Sequence, residues 1–388
     1  MTIPRGHAMR KSQLKDERGI ALVIAIVALV VIGAIVAGTF FVSTLEQRTS
    51  YNALASSQAS EAAEAGLQDA TANWNTAWNS LTAPSTSGVI AGPALASGAV
   101  DSYTVAPTTS VNPSLFVVTS WGTSNGTKQT LASVLRLLKA NVVVNAAVTA
   151  GGNVQVGGNA AIQGANTNPS GWSGCATAPD QAGIRSSGTI NTNGNPSIAG
   201  TPQTVPNDAS VNSATFQTPF QQLKQVATLN FTGGSGSGNY VTFTNIAPVS
   251  TGSPATCDRS NMSNWGEPLR TGTYVSACTN YAPVVYINGN AKFNSQGRGQ
   301  GILLVEGDLS IAGGFQWVGL VIATGQVKTG NGTSNVTGSI LAENADIGDQ
   351  TSFSGTPVVS YSQCALAYVL QQSAVARPLA GRSWTPVF

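Results

Sequence analysis

The sequence predicts an α+β protein with a long N-terminal transmembrane helix, a small antiparallel β unit and a C-terminal parallel β-solenoid. Three observations carry that reading. An uncharged apolar run from Ile20 to Val42 leads into a stretch of helix formers without proline. Three β-prone segments with hairpin chemistry come next. Beyond Ala140, apolar segments recur at intervals of about 18 residues.

The first element is read from length and charge. Ile20 to Val42 holds about 23 residues, and at about 1.5 Å per residue such a helix crosses a hydrocarbon core of about 30 Å. A cleaved secretion signal has a shorter apolar region, about 7–15 residues. Arg5, Arg10, Lys11, Lys15 and Arg18 precede the run. This basic flank keeps the N-terminus cytoplasmic and exports the chain beyond Val42. From Ser43 to about Ser80 the helix is expected to continue, because the residues are good or neutral helix formers. Leu67, Ala70, Trp74 and Trp78 fall on one helical face and are expected to pack inward.

Composition agrees with export. Charged residues make up 9% of the 388-residue chain and there are 43 glycines, which suits a β-rich extracytoplasmic protein of two or three domains. The 18 Lys and Arg nearly balance the 16 Asp and Glu. No basic surface for nucleic acid is therefore expected.

"RGIALVIAIVALVVIGAIV" together with the later "QASEAAEAGLQDA" resembles the N-terminal region of PilX-type minor pilins of the type IV pilus machinery. The resemblance covers about Arg18 to Ser80. It implies that a prepilin peptidase cuts after Gly19, that Ile20 becomes a methylated first residue, and that the helix later moves from the bilayer into a filament. Major pilins carry a glutamate at the fifth mature position; here that position is Ile24. The resemblance therefore implies a minor, initiating or tip subunit. Its implied partners are the inner membrane, other pilins and pilus assembly proteins.

"LTAPSTSGVIAGPALASG" reads as a linker. "SYTVAP", "SLFVVTSW" and "QTLASVLRLL" read as strands, the last two joined through "GTSNGTK". Residues 81–140 thus form linker and antiparallel unit. The solenoid is expected over 141–366. Units begin at Pro283, Gly301, Gly319 and Gly338, with a fifth at Thr356. Gly289, Gly307 and Gly325 recur at corners. A right-handed β-helix is favoured over a left-handed hexad form. "VTAGGNVQVGGNAAIQG" and "GIRSSGTINTNGNPSIAG" read as earlier coils, and 201–282 as an insertion containing the short helix "TFQTPFQQLKQVA". Residues 367–388 read as a tail that lies along the body or stays loose. The C-terminal half also resembles, through "CDRSNMSNWGEP", "GQGILLVEGDLSI" and "YSQCAL", β-helical domains attached to PilX-like N-termini.

The four cysteines permit two disulfides in an oxidising compartment. Cys257 with Cys278 is the simplest local pair, leaving Cys175 with Cys364, although three connectivities are open. The only histidine is His7, inside the expected leader 1–19, so a histidine-dependent triad is excluded after processing. No enzyme is expected and no cofactor is called for. Glu306 with Asp308, and Asp346 with Asp349, are the nearest carboxylate pairs, and both read as solvated surface acids. Calcium is a weaker option for Asn344 to Thr351. Of the aromatics Trp172, Trp265, Trp317 and Trp384, Trp317 is expected in packing and Trp265 at the surface.

The functional expectation is a minor pilin-like component that primes assembly or presents an adhesive domain to a cell surface or carbohydrate. It would sit in a bacterial inner membrane, single-pass, with its C-terminal domain periplasmic or extracellular. A membrane-anchored envelope protein outside any filament and a β-helical carbohydrate-active enzyme are the rivals.

Overall fold

The computed structural model describes residues 17–110, 114–138, 140, 142–294, 296–330, 332–348, 356–379 and 384–386. The leader before Glu17, including His7, lies outside the described residues, as do Asp349 and the end of the candidate calcium loop.

Helix α1 runs from Glu17 to Ala72. It stops earlier than the sequence pattern suggests. Asn73 makes the last i→i−4 bond, its backbone N–H donating to Asp69 O at 2.8 Å. Asn75 then caps a short 3-10 helix, Thr76–Ser80, through its side chain. Asparagine side chains bond readily to nearby backbone, and Asn75 Oδ1, accepting from Ala77 N at 3.0 Å, starts the separate 3-10 turn where the α-helix ends. Trp74 and Trp78 nevertheless join Leu67 and Ala70 in one apolar cluster, from beyond the helix end.

That cluster is shared with an antiparallel sheet. Strands Val100–Pro107, Leu115–Ser124 and Thr127–Leu138 pair in sequence. A two-residue Asn125-Gly126 turn joins the last two, both residues having positive φ. This is the backbone twist that such hairpins favour. The tail differs from its sequence reading: Val375–Pro378 and Trp384–Pro386 pair antiparallel with Thr127–Leu138. Ala374 and Ala376 are buried in the cluster, so the returning chain completes the sheet.

The larger body is a parallel sheet, sixteen strands among the described residues. Val284 pairs with Ile302, Ile302 with Leu320 and Leu320 with Ser339, a nearly constant step that matches the sequence repeat. The same register aligns Ile302 with Leu320, and Leu304 with Ile322 and Leu341, all no more than 1% exposed. Each such side chain contributes about 1.5–3 kcal/mol on full burial.

The threading is not sequential. Ala146–Ala150 and Val154–Val156 pair with the trailing half of Asn335–Ile347. Val358–Tyr361 pairs with its leading half, with Val358 opposite Asn335. The unit at Thr356 thus takes a longer step than the repeat predicts, because upstream strands already occupy the position above Ile340. Ala182–Ser186, Ile190–Thr192 and Ser197–Ala199 extend the stack beyond Ala146–Gln163.

Region 201–282, read as an insertion, also supplies strands. Thr204–Val205 pairs with Ala182–Ser186 at one end. Leu229–Thr232 and Val241–Phe243 pair with Val284–Asn288 and Ala291–Phe293 at the other. Between these ends runs helix α2, Ser213–Lys224, opened by an Asn212/Thr215 capping box. Its Phe216, Phe220 and Leu223 are fully buried against the stack.

Asparagine and aspartate hold the corners. Asn290 Oδ1 accepts from Asp308 N, and Asp308 Oδ1 accepts from Gln326 N, both at 2.8 Å. Asn344 Oδ1 accepts from Asn153 N, and Asn153 Oδ1 from Thr189 N. Gly307 and Gly325 immediately precede the donors Asp308 and Gln326. A Cβ at Gly325 would lie 2.3 Å from Asp308 Oδ1. Close approach, rather than positive φ, requires glycine there.

Candidate functional site on the first helix

From Ala21 to Leu54 every residue of α1 is exposed. Leu22, Ile24, Leu29, Ile35 and Phe40 are among the large apolar side chains left uncovered. It is the one helix among the described residues long and apolar enough to cross a membrane. Such a surface is unstable in water and requires apolar surroundings. The few polar groups fit that requirement. Thr39 and Thr44 donate their hydroxyls to Val36 O and Phe41 O, each at 2.8 Å, within the helix. Bonds made inside the segment are what a hydrocarbon environment demands.

The exposed half is continuous with the half that packs. Ala55, Ala59, Ala62, Ala63, Leu67 and Ala70 are buried against the antiparallel sheet. The small residues of "EAAEAGL" allow close contact. A Cβ on Gly122 of Leu115–Ser124 would lie 1.9 Å from Ala59 O. Gly66 sits against Ser120 and the carboxylate of Asp101. Asp101 is 2% exposed, and neither carboxylate oxygen has a hydrogen-bond partner among the described residues. Burial pushes its pKa up, and the nearby Asp69 adds to the shift. Asp69 itself accepts from Tyr103 OH at 2.8 Å.

The 3-10 helix fastens this unit to the stack. Asn79 is 0% exposed. Its side chain donates to Gln371 O at 2.8 Å and to Ala374 O at 3.0 Å, and Gln371 donates back to Asn79 O. Gln371 belongs to helix α3, Gln363–Gln372. Satisfied polar bonds of this kind, held away from water, tie the two units in one defined arrangement.

The remaining sequence candidates are scattered. Gly19 and Ile20 lie in the first turns of α1, and Val42 lies in its exposed half. Glu306 and Asp308 sit at a corner between Arg298–Val305 and Leu309–Ile311, half-buried, and not on a strand. Glu306 accepts from Lys224 Nζ at 2.7 Å and from Tyr286 OH. Lys224 holds the Glu306 carboxyl below its ordinary value, with Tyr286 adding to the effect. Asp308 serves the corner ladder described above, so the two acids are held by different partners. Asp346 lies on Asn335–Ile347 in register with Lys328 and Gln155. Among the described residues no cluster of three His, Cys, Asp or Glu could hold a metal.

The cysteines join as Cys257–Cys278 and Cys175–Cys364. Trp265 is 1% exposed, contrary to its expected surface position. It packs among Phe231, Phe243, Phe293 and Trp317, because its loop folds over the end of the core. Trp317 is 0% exposed. Trp172 is half-buried, with the Arg270 guanidinium 4.6 Å from its ring centre. Trp384 lies in the last described strand.

No family model matches the chain, and no curated protein matches it. Among solved structures, the competence-associated pilin ComZ from Thermus thermophilus aligns with a TM-score of 0.25 and 16% identity, over 86% of this chain and 98% of that one. A TM-score of that size is too low to define a shared fold.

Proposed function

We propose that the chain is a minor pilin-like structural component of a type IV pilus or related filament system, and not an enzyme. The observation that carries this is α1: an uncovered apolar half continuous with a half packed on an antiparallel sheet. The uncovered half suits a bilayer first and a bundle of pilin helices later, since apolar side chains meet apolar neighbours in both. The exposed Ile24, where bulk pilins carry a carboxylate, suits a priming or tip subunit. The basic leader orients the anchor in the inner membrane with its N-terminus cytoplasmic. The regular pairing register supports a β-solenoid, right-handed by preference, carried outside as an interaction domain.

Prepilin peptidase is the processing partner on this reading, cutting between Gly19 and Ile20. Intact mass and N-terminal sequencing of the protein from native membranes test it. A start at Ile20 with a methylated amine supports the filament role. A start at Met1 makes α1 a permanent anchor and removes that role.

A further inference from the structure

A cleft of about 340 Å³ opens on the outer face of the parallel sheet, within the usual range for small-ligand sites of about 300–1,000 Å³. Its floor is built from adjacent strands. Gln316 pairs with Asn335, and Thr337 with Ser360, so polar side chains stand side by side across successive strands. Neighbouring strands lie about 4.8 Å apart. Asn168 and Ser170 reach in from one wall, and Pro268 and Leu269 form the other.

Both walls are pinned. The loop carrying Asn168 is tied by Cys175–Cys364 to α3 and by Asn166 Oδ1 to Gln363 N at 2.9 Å. The loop carrying Leu269 is fixed by Glu267, whose side chain is 0% exposed. Its carboxylate accepts from Leu269 N at 3.1 Å and Val275 N at 2.8 Å, and pairs with Arg298 at 2.8 Å. Cys257–Cys278 braces the same segment, and Cys278 O accepts from Glu267 N. Trp172 Nε1 donates to Pro268 O at 2.9 Å, linking wall to wall. The two disulfides, far apart in sequence, thus hold opposite sides of one cleft.

The lining defines the ligand by chemistry. Among the described residues that line it, none has an ionisable side chain. The side chains of Asn168, Ser170, Gln316 and Ser360 make no hydrogen bond among the described residues. Amides and hydroxyls both donate and accept. A charged ligand would find no counter-charge here, and a wholly apolar one would leave these groups unpaired. We propose that this cleft is a binding subsite for a neutral oligosaccharide, whose hydroxyls pair with the amide and hydroxyl rows and whose C–H faces rest on Leu269 and Val318. The ligand class deepens the interaction role given above, and it rests on the domain being displayed outside the cell.

The test uses the full chain in detergent, titrated with β-1,4-linked glucose, β-1,4-linked N-acetylglucosamine and α-1,4-linked glucose oligomers, with polygalacturonate as the charged comparison. Saturable binding to at least one neutral series is expected. Joint Gln316→Ala and Asn335→Ala substitution should weaken it by about tenfold or more. Gln155→Ala, on an exposed position of a different strand column, should leave it unchanged. Unaltered thermal unfolding shows that the double variant folds. No binding to any neutral series, indifference to the double substitution, or preference for polygalacturonate overturns the proposal. A start at Met1 alongside cleft-dependent binding would remove the filament role and leave the subsite standing.

Discussion

Gly319 should be among the least replaceable residues of the parallel stack. It lies inside Gln316–Thr329, in register with Gly301 and Gly338 on the flanking strands. Its φ is +135°, and a Cβ there would lie 2.0 Å from Gly301 O and 3.0 Å from Val369 Cγ1. Gly319→Ala therefore carries two penalties. A side chain in this backbone region costs about 1–3 kcal/mol. Forcing neighbouring strands apart costs about 1–3 kcal/mol more. Together they come to about 2–6 kcal/mol, or a fall of roughly 2–8 °C in the unfolding midpoint of a chain this long. Gly330→Ala is the matched control, since the nearest atom to its Cβ would be Ala312 Cβ at 3.9 Å. It should change stability by no more than about 0.5 kcal/mol. Circular dichroism melts of the three proteins decide the matter. Equal midpoints for Gly319→Ala and the parent would refute the claim that glycine is needed for close strand approach.

Asp101 should make stability depend on pH. Its raised carboxyl pKa means the folded state holds the proton more tightly. Stability should therefore fall as pH rises from the ordinary aspartate value through the raised one. Asp101→Asn should flatten that slope and raise the midpoint at pH 8; parallel melting curves from pH 4 to 8 for both proteins would contradict this. Removing Cys175–Cys364, with a sequence separation of 189, should cost more than removing Cys257–Cys278, with a separation of 21. Chain-entropy values are about 5 and 3 kcal/mol, and melts of the paired Cys→Ser variants give the order. Trp265→Ala should cost about 3–5 kcal/mol by emptying the aromatic cluster, with loss of near-ultraviolet ellipticity as its signature.

The legible parts of this chain are those set by local pattern. Uninterrupted apolarity from Ile20 to Val42 marks α1, and the small residues of "EAAEAGL" fit its contact with the sheet. The Asn125-Gly126 turn marks the hairpin. The spacing of Gly301 and Gly319 matches the pairing register. Order in space is harder to read. Ala182–Ser186 pairs with Ala146–Ala150 at twice the usual step, because a 164–181 loop intervenes. Leu229–Thr232 pairs with Val284–Asn288 across a still longer excursion of the chain. No fixed period reveals such neighbours, and so 201–282 reads as an insertion.

The cleft and the corner ladder also escape a reading by pattern. Asn290 and Asp308, each one residue after Gly289 and Gly307, are a usable signal for the ladder. The cleft has no such signal, since Asn168, Gln316, Asn335 and Ser360 meet only after folding. "NWGEP" looks like an exposed loop from its glycine and proline. Trp265 is buried because the loop's polar groups are satisfied by its own backbone and by Asn264.

The most direct test of the assembly role is photocross-linking from Ile24 and Val31, comparing cell membranes with sheared filaments. The expected result is cross-linking within membranes before assembly and to other protein helices in the filament fraction. A chain that never enters the filament fraction, with cross-links confined to the membrane, would contradict the central claim.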